Sequence, residues 1–82
     1  MRLTVKLFGP QAVQARTRDQ VVELPEGQPT IGELRRRLAE VQPALTASLP
    51  TSRFAINCEF VGDDAIVRSG DEVALLGMLS GG

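Results

Sequence analysis

Few side chains in this sequence could do chemistry. There is one cysteine, Cys58, and no histidine. The commonest general base and the commonest metal ligand are therefore both missing. Cys58 has no second thiol for a disulfide or metal pair and no imidazole to activate it as a nucleophile. Beside Asn57, it is expected as a small, partly buried residue on a strand. The carboxylate pairs Asp63–Asp64 and Asp71–Glu72 sit in turn contexts and lack the ligand spacing of a calcium loop. Turn chemistry and solvation account for them. Gly32 and Gly62 fit no phosphate-binding loop. What remains is the ending, "GMLSGG". A terminal glycine leaves an α-carboxylate with no side chain beside it, able to thread a narrow pocket and meet a nucleophile there. Terminal glycines can equally be a loose end. Here no polar linker precedes them, and the apolar stretch "EVALLGML" would anchor them to a core. Gly81 and Gly82 are thus the candidate reactive arm.

The elements that must position this arm follow from local patterns. Arg2 to Phe8 alternates, with Leu3, Val5 and Leu7 on one side, which predicts a half-buried strand. Gly9 and Pro10 end it. The polar stretch up to Asp19 is expected as a helical turn or a loop. "QVVELP" predicts a second strand, paired antiparallel with the first. "TIGELRRRLAEVQP" is a helix: Thr30 and Glu33 form a capping box. Ile31, Leu34, Leu38 and Val41 make one apolar stripe, and Pro43 stops the pattern. Arg35, Arg36 and Arg37 are expected on the solvent side, with an anion patch as the alternative. "RFAIN" predicts a third strand, "VGDD" a turn, and "AIV" a short fourth strand. "EVALLGML", apolar on both faces, predicts a central strand buried by the helix on one side.

Composition sets the limits. Eighty-two residues with 43% hydrophobic and 23% charged content suit one small globular domain with a modest core. A net charge of −1 gives no electrostatic case for nucleic acid. No apolar run is long enough for a membrane span, and the N-terminus has no signal-peptide pattern. The expected setting is cytoplasmic and reducing. One helix with one apolar stripe must cover one sheet with one apolar face. The expected fold class is α+β: a β-grasp, or ubiquitin-like, mixed sheet of four to five strands with one main helix packed across it. Residues 1–76 would form the domain and residues 77–82 a flexible tail. A chain without catalytic side chains is not expected to be an enzyme by itself.

"AINCEFV", "SGDEVALL" and the final "SGG" occur here in the order seen in the small-subunit (MoaD) family of molybdopterin synthase sulfur carriers. "RLTVKLFGPQAVQ" and "PTIGELRRRL" are similar to that family's first strand and main helix. The resemblance spans nearly the whole chain and is strongest from Phe54 onward. It implies that an E1-like adenylating enzyme uses ATP to activate the Gly82 carboxylate, with Gly81 providing access. Sulfur from a sulfur donor protein then replaces AMP and leaves a thiocarboxylate. The large subunit of molybdopterin synthase would receive the tail, in a heterotetramer, and sulfur would pass to a pterin precursor. This chain itself would bind no cofactor or metal.

Leu76, Gly77, Met78, Leu79 and Ser80 are the expected partner interface, since a small apolar patch beside a functional terminus marks a contact surface. Phe60 is a further candidate, with core packing as its alternative. Gly77 and Met78 stand where the resembled family has Pro-Pro. Prolines would stiffen the tail and lessen the entropy lost on insertion; Gly77 does the reverse. The related alternatives are a carrier for thiazole synthesis or for tRNA thiolation. A β-grasp binding module that conjugates nothing is the alternative from another class.

Overall fold

In the computed structural model, which describes residues 1–77, the chain runs as strand β1 (Arg2–Leu7), helix α1 (Gly9–Ala15), β2 (Asp19–Glu23), helix α2 (Ile31–Val41), β3 (Arg53–Ile56), β4 (Glu59–Val61) and β5 (Val73–Leu76). Two 3₁₀ turns, Pro43–Leu45 and Leu49–Thr51, link α2 to β3. The five strands make one mixed sheet in the order β2-β1-β5-β3-β4. β1 and β5 are parallel neighbours, and every other pairing is antiparallel. The expected placement of the first and last strands, side by side in the middle, holds. It follows from their apolar content, because a central strand is covered on more sides than an edge strand.

Register assigns each side chain to a face. Leu3 opposes Val22, Val5 opposes Val73, and Leu7 and Phe54 both oppose Leu75. All seven are buried, and with Ile31, Leu34 and Leu38 of α2 they form the core. Full burial of each such side chain is worth about 1.5–3 kcal/mol relative to exposure. α2 begins as expected at Thr30, whose Oγ1 accepts from the Glu33 N–H at 3.3 Å. The capping box is only half made, since the Glu33 carboxylate lies 3.4 Å from Arg36 instead. The N–H groups of Ile31 and Gly32 donate to the carbonyls of Ala65 (2.9 Å) and Asp63 (2.8 Å), so a distant loop finishes the cap.

Several expectations need correction. The "AIV" segment is not a strand; Ile66 makes only an isolated bridge to Thr30, and Val67 is buried as that loop docks against the start of α2. The fourth strand is instead Glu59–Val61, joined to β3 by the two-residue turn Asn57–Cys58. Cys58 is therefore exposed in a turn rather than partly buried on a strand. Val41 lies on the exposed side at the end of α2. The stretch up to Asp19 contains a seven-residue helix, Gly9–Ala15, which begins at the residues that end β1 and is closed by Arg16 in the left-handed region, φ 60°. Arg36 and Arg37 do face solvent and pair with Glu33 and Glu40. Arg35 does not: its side chain is only 21% exposed and lies 2.7 Å from Asp63. It also donates to the Leu49 and Ser52 carbonyls and sits over the Phe54 ring, tying α2 to two loops.

The β3–β4 turn carries backbone strain. Asn57 (φ 51°) and Cys58 (φ 71°) are both left-handed, as a type I′ hairpin turn demands. Asn tolerates that region, and Asn57 is held there: its Oδ1 accepts from the Glu72 N–H and its Nδ2 donates to Asp71. Cys58 has a Cβ where glycine is preferred. Cys58→Gly is expected to raise stability by about 0.5–1 kcal/mol, the usual gain when φ strain outweighs lost chain stiffness. A rise in the urea midpoint at constant m-value checks this; an unchanged midpoint would show the turn unstrained.

Candidate functional site: the open sheet face and the root of the C-terminal segment

The face of the sheet away from α2 divides into two halves of different chemistry. On β1 and β2, charged residues are matched across the ladder. Arg2 opposes Glu23 and Lys6 opposes Asp19, with ion-pair distances of 2.9 Å in both cases. The hydrogen bond that Lys6 donates to Asp19, followed by the charge of Asp19, raises the pKa of Lys6 above its ordinary 10.5. This half presents neutralised pairs.

The half on β5, β3 and β4 is apolar. Ala74 opposes Ala55, Ala55 opposes Phe60, and Leu76 opposes Arg53. Cross-strand partners point to the same side, so Leu76 and Phe60 share one face, with Arg53 between them. The Arg53 guanidinium lies over the Phe60 ring at 4.8 Å from its centroid. Phe60 is 58% exposed; it is a surface residue and not a core one. Leu76 is half-buried. The apolar character of β5 on both faces is thus explained by two different partners. Val73 and Leu75 meet α2, while Ala74 and Leu76 line the open face.

β5 ends at Leu76, and Gly77 follows as an exposed residue. A Cβ on Gly77 would come within 3.2 Å of Gln11 Oε1, so this position suits glycine because of a neighbour in α1. A lone glutamine in a polar stretch carries no sequence signal of burial, so the place of Gln11 is visible only in the fold. The remaining candidates, Met78, Leu79, Ser80, Gly81 and Gly82, lie outside the described residues. Among the described residues, no three His, Cys, Asp or Glu side chains gather where they could hold a metal ion. No helix among them is long and apolar enough to cross a membrane. Asp71 accepts from the Arg68 N–H and from Asn57, and Asp63 pairs with Arg35, so both carboxylates are tied to local structure.

A five-stranded mixed sheet grasping one main helix, with its central β5 running directly into the C-terminal segment, defines a ubiquitin-like β-grasp protein. The ThiS family profile matches residues 5–82, and the chain belongs to the ThiS family. It is similar to a molybdopterin synthase sulfur carrier subunit of Chlamydomonas reinhardtii, 34% identical over 84 residues with 100% of both chains covered. A second such subunit, from Dictyostelium discoideum, is 32% identical over 63 residues, covering 74% of this chain and 73% of that one. Among solved structures, SAMP1 from Haloferax volcanii superposes with a TM-score of 0.87 at 27% identity, covering 100% of both chains. A complex of subunits 1 and 2 of the molybdopterin-converting factor from Helicobacter pylori contains the same fold, with a TM-score of 0.68 at 22% identity and 100% of both chains covered.

Proposed function

We propose that this chain is the sulfur-carrier subunit of a molybdopterin synthase. The observation that carries the reading is the 34% identity to such a subunit across the full length of both chains. The mechanism needs no catalytic side chain from the carrier. A carboxylate is a poor electrophile. Attack of the Gly82 carboxylate on the α-phosphorus of ATP, in an E1-like enzyme, expels pyrophosphate and forms an acyl-adenylate. A sulfide-level sulfur, delivered by a donor protein, then attacks the acyl carbon and AMP leaves, which gives the thiocarboxylate. Gly81 and Gly82 suit this chemistry because neither adds a Cβ to the thread that must enter a partner's active site.

The large subunit would hold the pterin precursor and supply the catalytic groups. This chain contributes the sulfur and a docking surface, for which the apolar half of the open face is the candidate. Phe60 and Arg53 there are an aromatic and an arginine, types enriched at interfaces, and Leu76 extends the apolar surface beside them. The complex of two subunits from Helicobacter pylori supports a two-subunit arrangement.

The test is direct. Incubation with the cognate activating enzyme, ATP and a sulfur source, followed by intact mass spectrometry, is expected to show one oxygen of the Gly82 carboxylate replaced by sulfur. An unchanged mass across candidate activating enzymes overturns the reading.

The likeness to SAMP1, a small archaeal modifier protein, favours a second use of the same activated end, as a protein modifier. The two uses separate by product. A carrier delivers sulfur to the pterin precursor when the large subunit is added, whereas a modifier accumulates in covalent conjugates with other proteins.

A further inference from the structure

Three cations stand on the strands of the sheet: Arg2 and Lys6 on β1 and Arg53 on β3. Arg2 has Glu23 at 2.9 Å, and Lys6 has Asp19 at 2.9 Å. Arg53 is different. Among the described residues no carboxylate lies within ion-pair distance of its guanidinium. It is exposed, and it lies over the Phe60 ring at 4.8 Å from the centroid. Its cross-strand neighbour on β5 is Leu76, and the residues between Phe60 and β1 on that face are the small Ala55 and Ala74. An unpaired positive charge therefore sits in the apolar half of the open face.

Such a charge is tolerated while water reaches it. A surface laid over it strips that water, and the loss is made good only if the covering surface brings an anion. The stacking on Phe60 prepares Arg53 for one. One flat side of the guanidinium rests on the ring, and its N–H edge stays open. That edge is a fork that fits a carboxylate through two parallel hydrogen bonds. Contact with the ring also restricts the side chain beforehand, so less rotamer freedom is lost on binding.

We propose that Arg53 is the specificity-determining residue of the open face: it takes an aspartate or glutamate carboxylate that the large subunit presents within its apolar contact surface. The inference rests on the sulfur-carrier reading and adds the chemistry of the partner's contact. A small free anion is not the occupant, because a single exposed arginine holds an anion only weakly in water. The pair gains strength where a protein surface excludes the solvent. A partner offering apolar groups to Phe60 and Leu76 and a carboxylate to Arg53 is thereby told apart from one that is merely apolar. The latter would bury the guanidinium unpaired.

Calorimetric titration of the large subunit with carrier variants tests the pair. Arg53→Gln removes the charge, and is expected to weaken binding about thirtyfold because the partner's carboxylate is left buried without its cation. Arg53→Glu has nearly the shape of Arg53→Gln and differs in charge; like-charge repulsion is expected to weaken it about tenfold further. Arg53→Lys keeps the charge and loses the planar fork, and is expected to fall between Arg53→Gln and the unaltered chain. The urea midpoint is expected to move little in all three, since Arg53 is exposed and lies outside the core. Unchanged affinity in Arg53→Gln overturns the proposal. So does equal affinity of Arg53→Gln and Arg53→Glu, which would mean that Arg53 acts through packing and faces no carboxylate. Either result, with the unaltered chain still binding, leaves the carrier reading standing. Absence of binding by the unaltered chain removes that reading and the proposal with it.

Discussion

A carrier extended by one alanine after Gly82 is expected to acquire no sulfur at all, while keeping its fold. The added residue converts the reacting carboxylate into an amide, which has no free oxygen anion to attack ATP, and it moves the new carboxylate a full residue beyond the reach of the active site. Gly82→Ala keeps the carboxylate and adds one methyl group. Misplacement of a reacting group by about 1 Å costs on the order of a hundredfold in rate, so this variant is expected to be adenylated about a hundredfold more slowly. ATP–pyrophosphate exchange measures the first step and intact mass the second. Circular dichroism should be unchanged in both variants, because the last core residue among the described ones is Leu75, seven positions before Gly82. Normal charging of the extended protein would contradict the mechanism outright.

The second large effect concerns docking. Phe60→Asp and Leu76→Asp are each expected to weaken binding to the large subunit by about a hundredfold, the loss typical of a central contact residue, with the unfolding midpoint little changed. Both side chains point away from α2, so neither substitution opens the core. Phe60 is the safer probe for stability, being 58% exposed against a half-buried Leu76. Val13→Asp is the control: Val13 is 77% exposed on α1, and its change is expected to leave affinity unaltered. Calorimetric titration of the large subunit with each variant reads the difference. Equal affinity for Phe60→Asp and the unaltered chain would remove the open face from the interface.

The features that were legible without a fold are those set by near neighbours in the chain. Alternation at Leu3, Val5 and Leu7 announces a strand because side chains on a pleated backbone point to opposite sides in turn. Thr30 announces a helix start because its hydroxyl reaches an N–H only three residues on. The apolar run of β5 announces a central strand, and it is one. The misses share a physical cause. Glu59–Val61 carries no hairpin signal in the sequence, because its turn, Asn57–Cys58, has cysteine where hairpin turns favour glycine. α1 has no clear helical signature in the sequence, because its two buried residues, Gln11 and Ala15, form no apolar stripe. Arg35 looked like its neighbours Arg36 and Arg37. Only the arrival of Asp63 and the carbonyls of Leu49 and Ser52 distinguishes it.

The covalent features belong to the sequence alone. The Gly81–Gly82 pair, the absence of histidine and the single thiol are properties of this sequence in any conformation, and they are what made the glycine pair the candidate for chemistry. Spatial features belong to the tertiary structure. Leu76 and Phe60 are 16 positions apart, and their shared face depends on the registers of β5 on β3 and of β3 on β4. A slip of one residue in either would send one of them to the other side of the sheet. Gln11 reaches Gly77 only because β1 and β5 lie parallel at the centre of the sheet and carry α1 to the end of β5. Local rules select elements; register and packing, set by which apolar faces can be buried together, decide which distant residues become a site.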